Sequence, residues 1–219
     1  MSGYRGDEHR LDYEVVRAYW EDAAHEAESA SYMAHEQGLP PGCVEHRFAL
    51  ERAVVDRWFA GLGPTASVLD VGCGAGAWTE LFAQRYGRVV GVDASVGMLA
   101  AARRRLAGQG NVELVRGDAL TVALDGEFQG VLLGGLLMYL DRADAVALLV
   151  RLGQLAPRGR IILRESGVRA GGRGTDRHVP GGVPVTAGVR SLGCRGRTAR
   201  RCRRAQPGLR AHGDRRCAG

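Results

Sequence analysis

Residues 66–77 constrain the fold more than any other stretch. Ser67-Val68-Leu69-Asp70-Val71 is a short apolar run of strand type, Gly72-Cys73-Gly74-Ala75-Gly76 follows directly, and a helical pattern starts at Ala77. A strand that turns through glycines into a helix offers backbone N–H groups at its tip, and glycine lets that backbone approach a ligand closely. The strand pattern then recurs. Arg88–Asp93, Val112–Val115, Gly130–Leu133 and Arg160–Arg164 read as further strands, with helices predicted over about 77–86, 95–106 and 143–155. Such alternation predicts an α/β fold with a doubly wound, mostly parallel sheet covered on both faces.

Two helices are expected upstream. One covers 12–29, with Tyr13, Val16, Tyr19 and Trp20 at helical spacing, and one covers about 44–62, stopped by Gly61 and Gly63-Pro64. Residues 1–62 are therefore read as an N-terminal helical cap and 63–170 as the α/β domain. Residues 171–219 hold 11 Gly, 12 Arg and no aromatic residue. Too little apolar surface is available there to offset chain entropy, so the segment is expected to be disordered.

The charge is uneven in the same way. The chain has no lysine, and its net charge of +6 hides a balance of −4 over residues 1–170 against +10 over 171–219. The domain itself therefore carries no electrostatic signature of nucleic-acid binding. The five cysteines form no C-x-x-C pair, and neither they nor His25, His35 and His46 show metal-ligand spacing, so no metal is expected. The first ten residues are polar and no apolar run approaches the roughly 18–20 residues of a membrane span, so a cytoplasmic location is expected.

The glycine loop alone is ambiguous. Gly72, Gly74 and Ala77 satisfy a dinucleotide-binding pattern, and Asp93 follows Gly72 by 21 residues, as a ribose-binding acid does. An NAD(P)-dependent oxidoreductase is thus the competing reading. Asp70 speaks against it: a carboxylate just before the first glycine repels a pyrophosphate and attracts a sulfonium. Together Asp70, Asp93 and Asp118 end three parallel strands and converge on one crevice.

Asp70–Gly76, Gly91-Val92-Asp93-Ala94-Ser95 and Gly117-Asp118-Ala119 resemble the successive motifs of class I S-adenosylmethionine-dependent methyltransferases, over roughly residues 45–165. The resemblance implies a Rossmann-like domain with S-adenosylmethionine as cofactor. It places Gly72, Gly74, Gly76 and Gly134 at the methionine portion, with Asp70 nearby. Asp93, in a motif with Ala94, meets the ribose, Asp118 and Ala119 meet the adenine amine, and Met98 packs on the adenine. Arg47 is the candidate for the cofactor carboxylate, in competition with Arg52 and Arg57.

Methyl transfer is an in-line displacement in which the protein aligns the acceptor and excludes water; a base helps only for a hydroxyl or a protonated amine. Tyr139, after the fourth strand, and Glu165, ending the fifth, are the catalytic candidates, with Glu165 either a base or a partner of Arg164. Tyr19 and Trp20 are either a lid or core contacts of their helix. Residues 134–137 read Gly-Gly-Leu-Leu and lack the Asn-Pro-Pro-Tyr type of signature found in amino-methylating DNA enzymes. The expected acceptor is accordingly an O or N atom of a small molecule, in secondary metabolism. A catalytically defective relic and a nucleic-acid methyltransferase using the Arg-rich segment are the remaining alternatives. Relatives complete the sheet with an antiparallel hairpin after the fifth strand, and nothing in 171–219 reads that way. An altered reading frame from about residues 170–180 accounts for this, because off-frame GC-rich codons yield Arg, Gly, Ala and Pro.

Overall fold

The computed structural model describes residues 11–24, 40–167 and 186–193. In chain order its elements are α1 (Tyr13–Ala23), α2 (Pro41–Phe59), β1 (Ser67–Val71), α3 (Ala77–Ala83), β2 (Arg88–Asp93), α4 (Val96–Arg105), β3 (Val112–Arg116), β4 (Gly130–Gly134), α5 (Arg142–Leu155), β5 (Arg160–Gly167) and β6 (Thr186–Gly193). The strands form one sheet in the order β3-β2-β1-β4-β5-β6, parallel from β1 to β5. The chain leaves β1 outward to β3 and returns to β4 on the other side. That reversal opens a crevice at the carboxyl ends of β1 and β4, where such sheets bind ligands.

Alternation along the strands divides the core in two. Val68, Leu132 and Ile162 pack with Val55 and Phe59 of α2 and Phe82 of α3 on one face. Leu69, Val71, Val131 and Leu133 pack with Leu148 and Leu152 of α5 on the other. Strands buried on both faces read as continuous apolar runs, which is why β1, β2 and β4 were visible in the sequence.

Local chemistry sets the helix ends. The Asp12 carboxylate accepts N–H bonds from Glu14 and Val15 to start α1, and Ser95 Oγ accepts from Met98 to start α4. Helix α2 begins at Pro41, three residues before the expected start, because proline in a first turn gives up an N–H that has no helical partner anyway. The expected continuation of α1 to residue 29 lies outside the described residues.

Residues 186–193 correct the expectation of a C-terminal segment without structure. Strand β6 runs antiparallel to β5 over eight pairs, from Arg160 opposite Gly193 to Gly167 opposite Thr186. Strand β5 therefore has a neighbour on each side. The rest of 171–219, including the point of the supposed frame change, lies outside the described residues.

Gly76 sits at φ 81° at the start of α3, and a Cβ there would lie 3.1 Å from Leu106 Cδ1 and 3.2 Å from Ala102 Cβ. It is where α3 and α4 close together beneath the glycine loop. Gly76→Val is expected to destabilise the protein by about 2–5 kcal/mol, from the left-handed backbone and the overpacking combined. Thermal unfolding measures this, and an unchanged midpoint would refute the packing role.

Candidate functional site

A cavity of about 330 Å³ occupies the crevice, at the small end of the roughly 300–1,000 Å³ usual for small-molecule sites. Its floor is built from strand ends: Gly72 to Gly74 after β1, Asp93 to Ser95 after β2, Asp118 and Ala119 after β3, and Gly134 and Gly135 after β4. Its roof is α1, through Tyr13, Val16, Arg17, Trp20 and Glu21. Gly72 and Gly74 have φ of 71° and 52°, so the loop over β1 needs glycine at both positions.

Asp93 organises one end. Its Oδ2 accepts the Gly74 N–H at 2.8 Å and its Oδ1 the Ser95 N–H at 2.9 Å, tying the glycine loop to the start of α4. Each oxygen keeps acceptor capacity for a ligand hydroxyl. Burial pushes the carboxyl above its ordinary pKa, the two N–H bonds oppose that rise, and the nearby Glu21 carboxylate adds to it. Asp118 lies one strand further out, its Oδ1 accepting from Leu120 N–H at 2.9 Å. Met98, 2% exposed, Ala94 and Ala119 complete this end of the wall.

Glu21 is a site residue that sequence reasoning missed. From α1 it reaches the first turn of α4, where Oε1 accepts from Val96 N–H at 2.7 Å and Oε2 from Gly97 N–H at 2.9 Å. A helix start has unpaired N–H groups and partial positive charge, so a carboxylate is favoured there, and the Gly97 bond foremost holds Glu21 below its ordinary pKa. Gly97 permits the approach, since a Cβ on it would meet the Ala24 Cβ at 2.5 Å. The other end of α1 is fixed to the start of α5: Tyr13 Oη donates to Asp144 at 2.5 Å and accepts from Asp141 N–H at 3.0 Å.

Four of the expected site residues lie off the cavity wall. Asp70 is not on the cavity wall. Strand alternation turns it to the same face as Val68, where it is 2% exposed and accepts a bond from Thr79 Oγ1 of α3 at 2.6 Å. Burial pushes its pKa up to about 7, against the opposing Thr79 bond. A carboxyl under the loop is a weak argument against a pyrophosphate above it, so the electrostatic case made from sequence loses force. Gly76 likewise faces α4 and not the cavity.

Arg47 is also off the wall. Its Nε donates to Glu51 Oε1 at 2.9 Å, and Glu51 Oε2 accepts from Arg164 Nε at 2.6 Å. Arg164, midway along β5 and opposite the last residue of β4, is the arginine of this group that lines the cavity; Arg52 and Arg57 do not. Finally, Glu165 is not on the wall and does not take up Arg164 Nε. Its Oε1 accepts from the N–H groups of Leu136 and Leu137 at 3.2 and 3.3 Å, and burial pushes its pKa up to about 7. It supports the turn that carries Tyr139. Tyr139 itself is buried on the cavity wall, its ring 5.5 Å from Trp20 and nearly perpendicular to it at 87°. The two readings of Tyr19-Trp20 separate here: Trp20 lines the cavity and Tyr19 does not.

Residues 68–159 match a family model described as a methyltransferase domain. The match covers less than half of the chain, and over that stretch the chain is similar to methyltransferase domains. Among curated relatives, ribosomal RNA small subunit methyltransferase A of Pelotomaculum thermopropionicum is 38% identical over 88 residues, covering 39% of this chain and 30% of that protein. The 2-phytyl-1,4-naphtoquinone methyltransferase of Thermosynechococcus vestitus is 41% identical over 100 residues, covering 43% and 44%. The chain spans less than half the length of these two relatives. In structure the domain is similar to Haemonchus contortus phosphoethanolamine N-methyltransferase 1, solved with phosphoethanolamine and S-adenosylhomocysteine, with a TM-score of 0.62 at 23% identity over 71% of this chain and 32% of that one. That likeness is one of fold. No helix among the described residues is long and apolar enough to cross a membrane.

Proposed function

We propose that this protein binds S-adenosylmethionine in the crevice and transfers its methyl group to an O or N atom of a small molecule in the cytoplasm. The observation that carries the reading is the two-ended cavity under α1: acids and Met98 at one end, Gly134, Tyr139 and Arg164 at the other. The fit is chemical. Asp93 offers two acceptor oxygens to a pair of ribose hydroxyls, Asp118 and the Ala119 backbone meet an adenine, and Met98 supplies the apolar face on which a base rests. Ala94 and Gly74 complete the nucleoside end. When bound, the cofactor supplies an activated methyl on a sulfonium.

The chain's own part is alignment and exclusion of water. Trp20 and Val16 close the roof, Leu136 and Leu140 make the acceptor side apolar, and Tyr139 lines that side as well. The quinone methyltransferase among the relatives supports an acceptor of similar character, and secondary metabolism is its setting in this proposal. The match to ribosomal RNA methyltransferases supports a second reading, in which the acceptor is RNA.

Incubation with methyl-labelled cofactor separates the two. Label is expected in phenolic, quinol or amine acceptors of a small-molecule panel and not in structured RNA, whereas transfer to RNA alone would overturn the acceptor class. Tight binding of NADH with no binding of S-adenosylhomocysteine would overturn the cofactor.

A further inference from the structure

Arg164 has more hydrogen-bonding capacity than the protein uses. Its Nε donates to Glu51, and among the described residues its Nη1 and Nη2 find no acceptor. The side chain lines the cavity and is only 13% exposed, so its remaining donors are held in a largely dry place. A guanidinium carries five donors in a planar fork that matches a carboxylate.

Its position is set by the strand pairing. Arg164 is the register partner of Gly134, and the missing side chains of Gly134 and Gly135 let it lie across the end of β4. A Cβ on Gly134 would be 3.9 Å from Arg164 Cδ, and one on Gly135 3.7 Å from Nη1. The guanidinium therefore points away from β5 toward the middle of the sheet, close enough to β1 for its charge to act on Asp70 under the glycine loop. From β2, which carries Asp93, to β5 is three strand spacings, about 14 Å. An arginine leaning back over β4 shortens that span.

The support behind it is an ion triad. Glu51 on α2 bridges Arg164 and Arg47, with side-chain exposures of 10% for Glu51 and 18% for Arg47. Two guanidinium groups on one carboxylate leave one positive charge, and poor solvent access leaves it weakly screened.

We propose that Arg164, held by Glu51 and through it by Arg47, receives the carboxylate at the amino-acid end of the bound cofactor. This rests on the methyltransferase reading above. It makes Arg164 a binding residue and Glu51 and Arg47 positioning residues, with Arg47 acting on the carboxylate at one remove instead of touching it.

The test is calorimetric titration of the parent protein, Arg164→Met and Glu51→Gln with S-adenosylhomocysteine and with 5′-methylthioadenosine. The second ligand has the nucleoside and the thioether but no carboxylate. Arg164→Met is expected to weaken S-adenosylhomocysteine about 10- to 100-fold, the worth of charge-assisted hydrogen bonds, and 5′-methylthioadenosine less than about threefold. Glu51→Gln, which keeps the guanidinium but loosens it, is expected to show a smaller loss confined to the same ligand. Unchanged S-adenosylhomocysteine affinity in Arg164→Met, or an equal loss for both ligands, would overturn the proposal and leave the crevice assignment standing. Failure of the parent to bind either ligand would overturn both.

Discussion

Asp93→Ala is expected to lower S-adenosylhomocysteine affinity by more than about 100-fold, the largest single effect on binding in this molecule. Two losses coincide. The ligand loses the acceptor assigned to its ribose hydroxyls, and the protein loses the clasp that holds Gly74 N–H and Ser95 N–H on one carboxylate. Without the clasp, the glycine loop and the start of α4 no longer share an anchor, so the wall facing the ligand loosens as well. Asp93→Asn separates the two contributions. Its amide oxygen can accept one of the two N–H bonds, but its NH2 group confronts the other donor. An intermediate loss is therefore expected, with far-ultraviolet circular dichroism unchanged. Calorimetry at a fixed pH measures both variants. An Asp93→Ala protein that folds and binds within about threefold of the parent would remove Asp93 from the site.

The strands and the glycine loop were legible because they obey local rules. A strand buried on both faces must be apolar throughout, and a backbone at φ 71° or 52° must be glycine, so β1, β2, β4, Gly72 and Gly74 appear directly in the sequence. Asp93 and Asp118 were legible as acids at strand ends. Other features depend on which way a side chain points or on contacts far along the chain. Asp70 lies in a legible strand, but alternation alone decides whether its carboxyl meets the cavity or α3, and a loop following directly after the strand obscures that parity. Glu21 meets Val96 and Gly97 more than seventy positions away, and no spacing in either segment announces the pairing. Arg164 hides for a related reason: its place in the cavity depends on the bare backbone of Gly134 and Gly135 on the neighbouring strand. Strand β6 escaped notice because it is poor in apolar residues, and its evidence is a ladder of backbone pairs with β5, which composition does not record.

Asp70 supplies the second large effect, on stability and its dependence on pH. In the folded chain its pKa is pushed from 3.8 to about 7, mainly by burial. Between those values the native state holds a proton that the unfolded chain has lost. Stability therefore falls as pH rises through that window and levels off above about 7. Once the group is ionised the cost approaches about 4 kcal/mol. Glu165, raised to about 7 by its own burial, acts in the same direction, so the decline is expected to be steeper than one group produces. Asp70→Asn removes one of the two contributions while keeping the shape, and the oxygen of the introduced amide can still accept the Thr79 hydroxyl bond. The variant is expected to match the parent below about pH 4 and to exceed it increasingly toward pH 8. At about 2–4 °C per kcal/mol for a chain of this size, the unfolding midpoint at pH 8 should then rise by roughly 8–16 °C. Thermal unfolding of both proteins at pH 5, 6.5 and 8 measures the divergence. Parallel curves would mean that Asp70 ionises in the fold as freely as in water. A variant less stable at pH 8 would mean that a donor beyond Thr79 holds the carboxylate in its charged form.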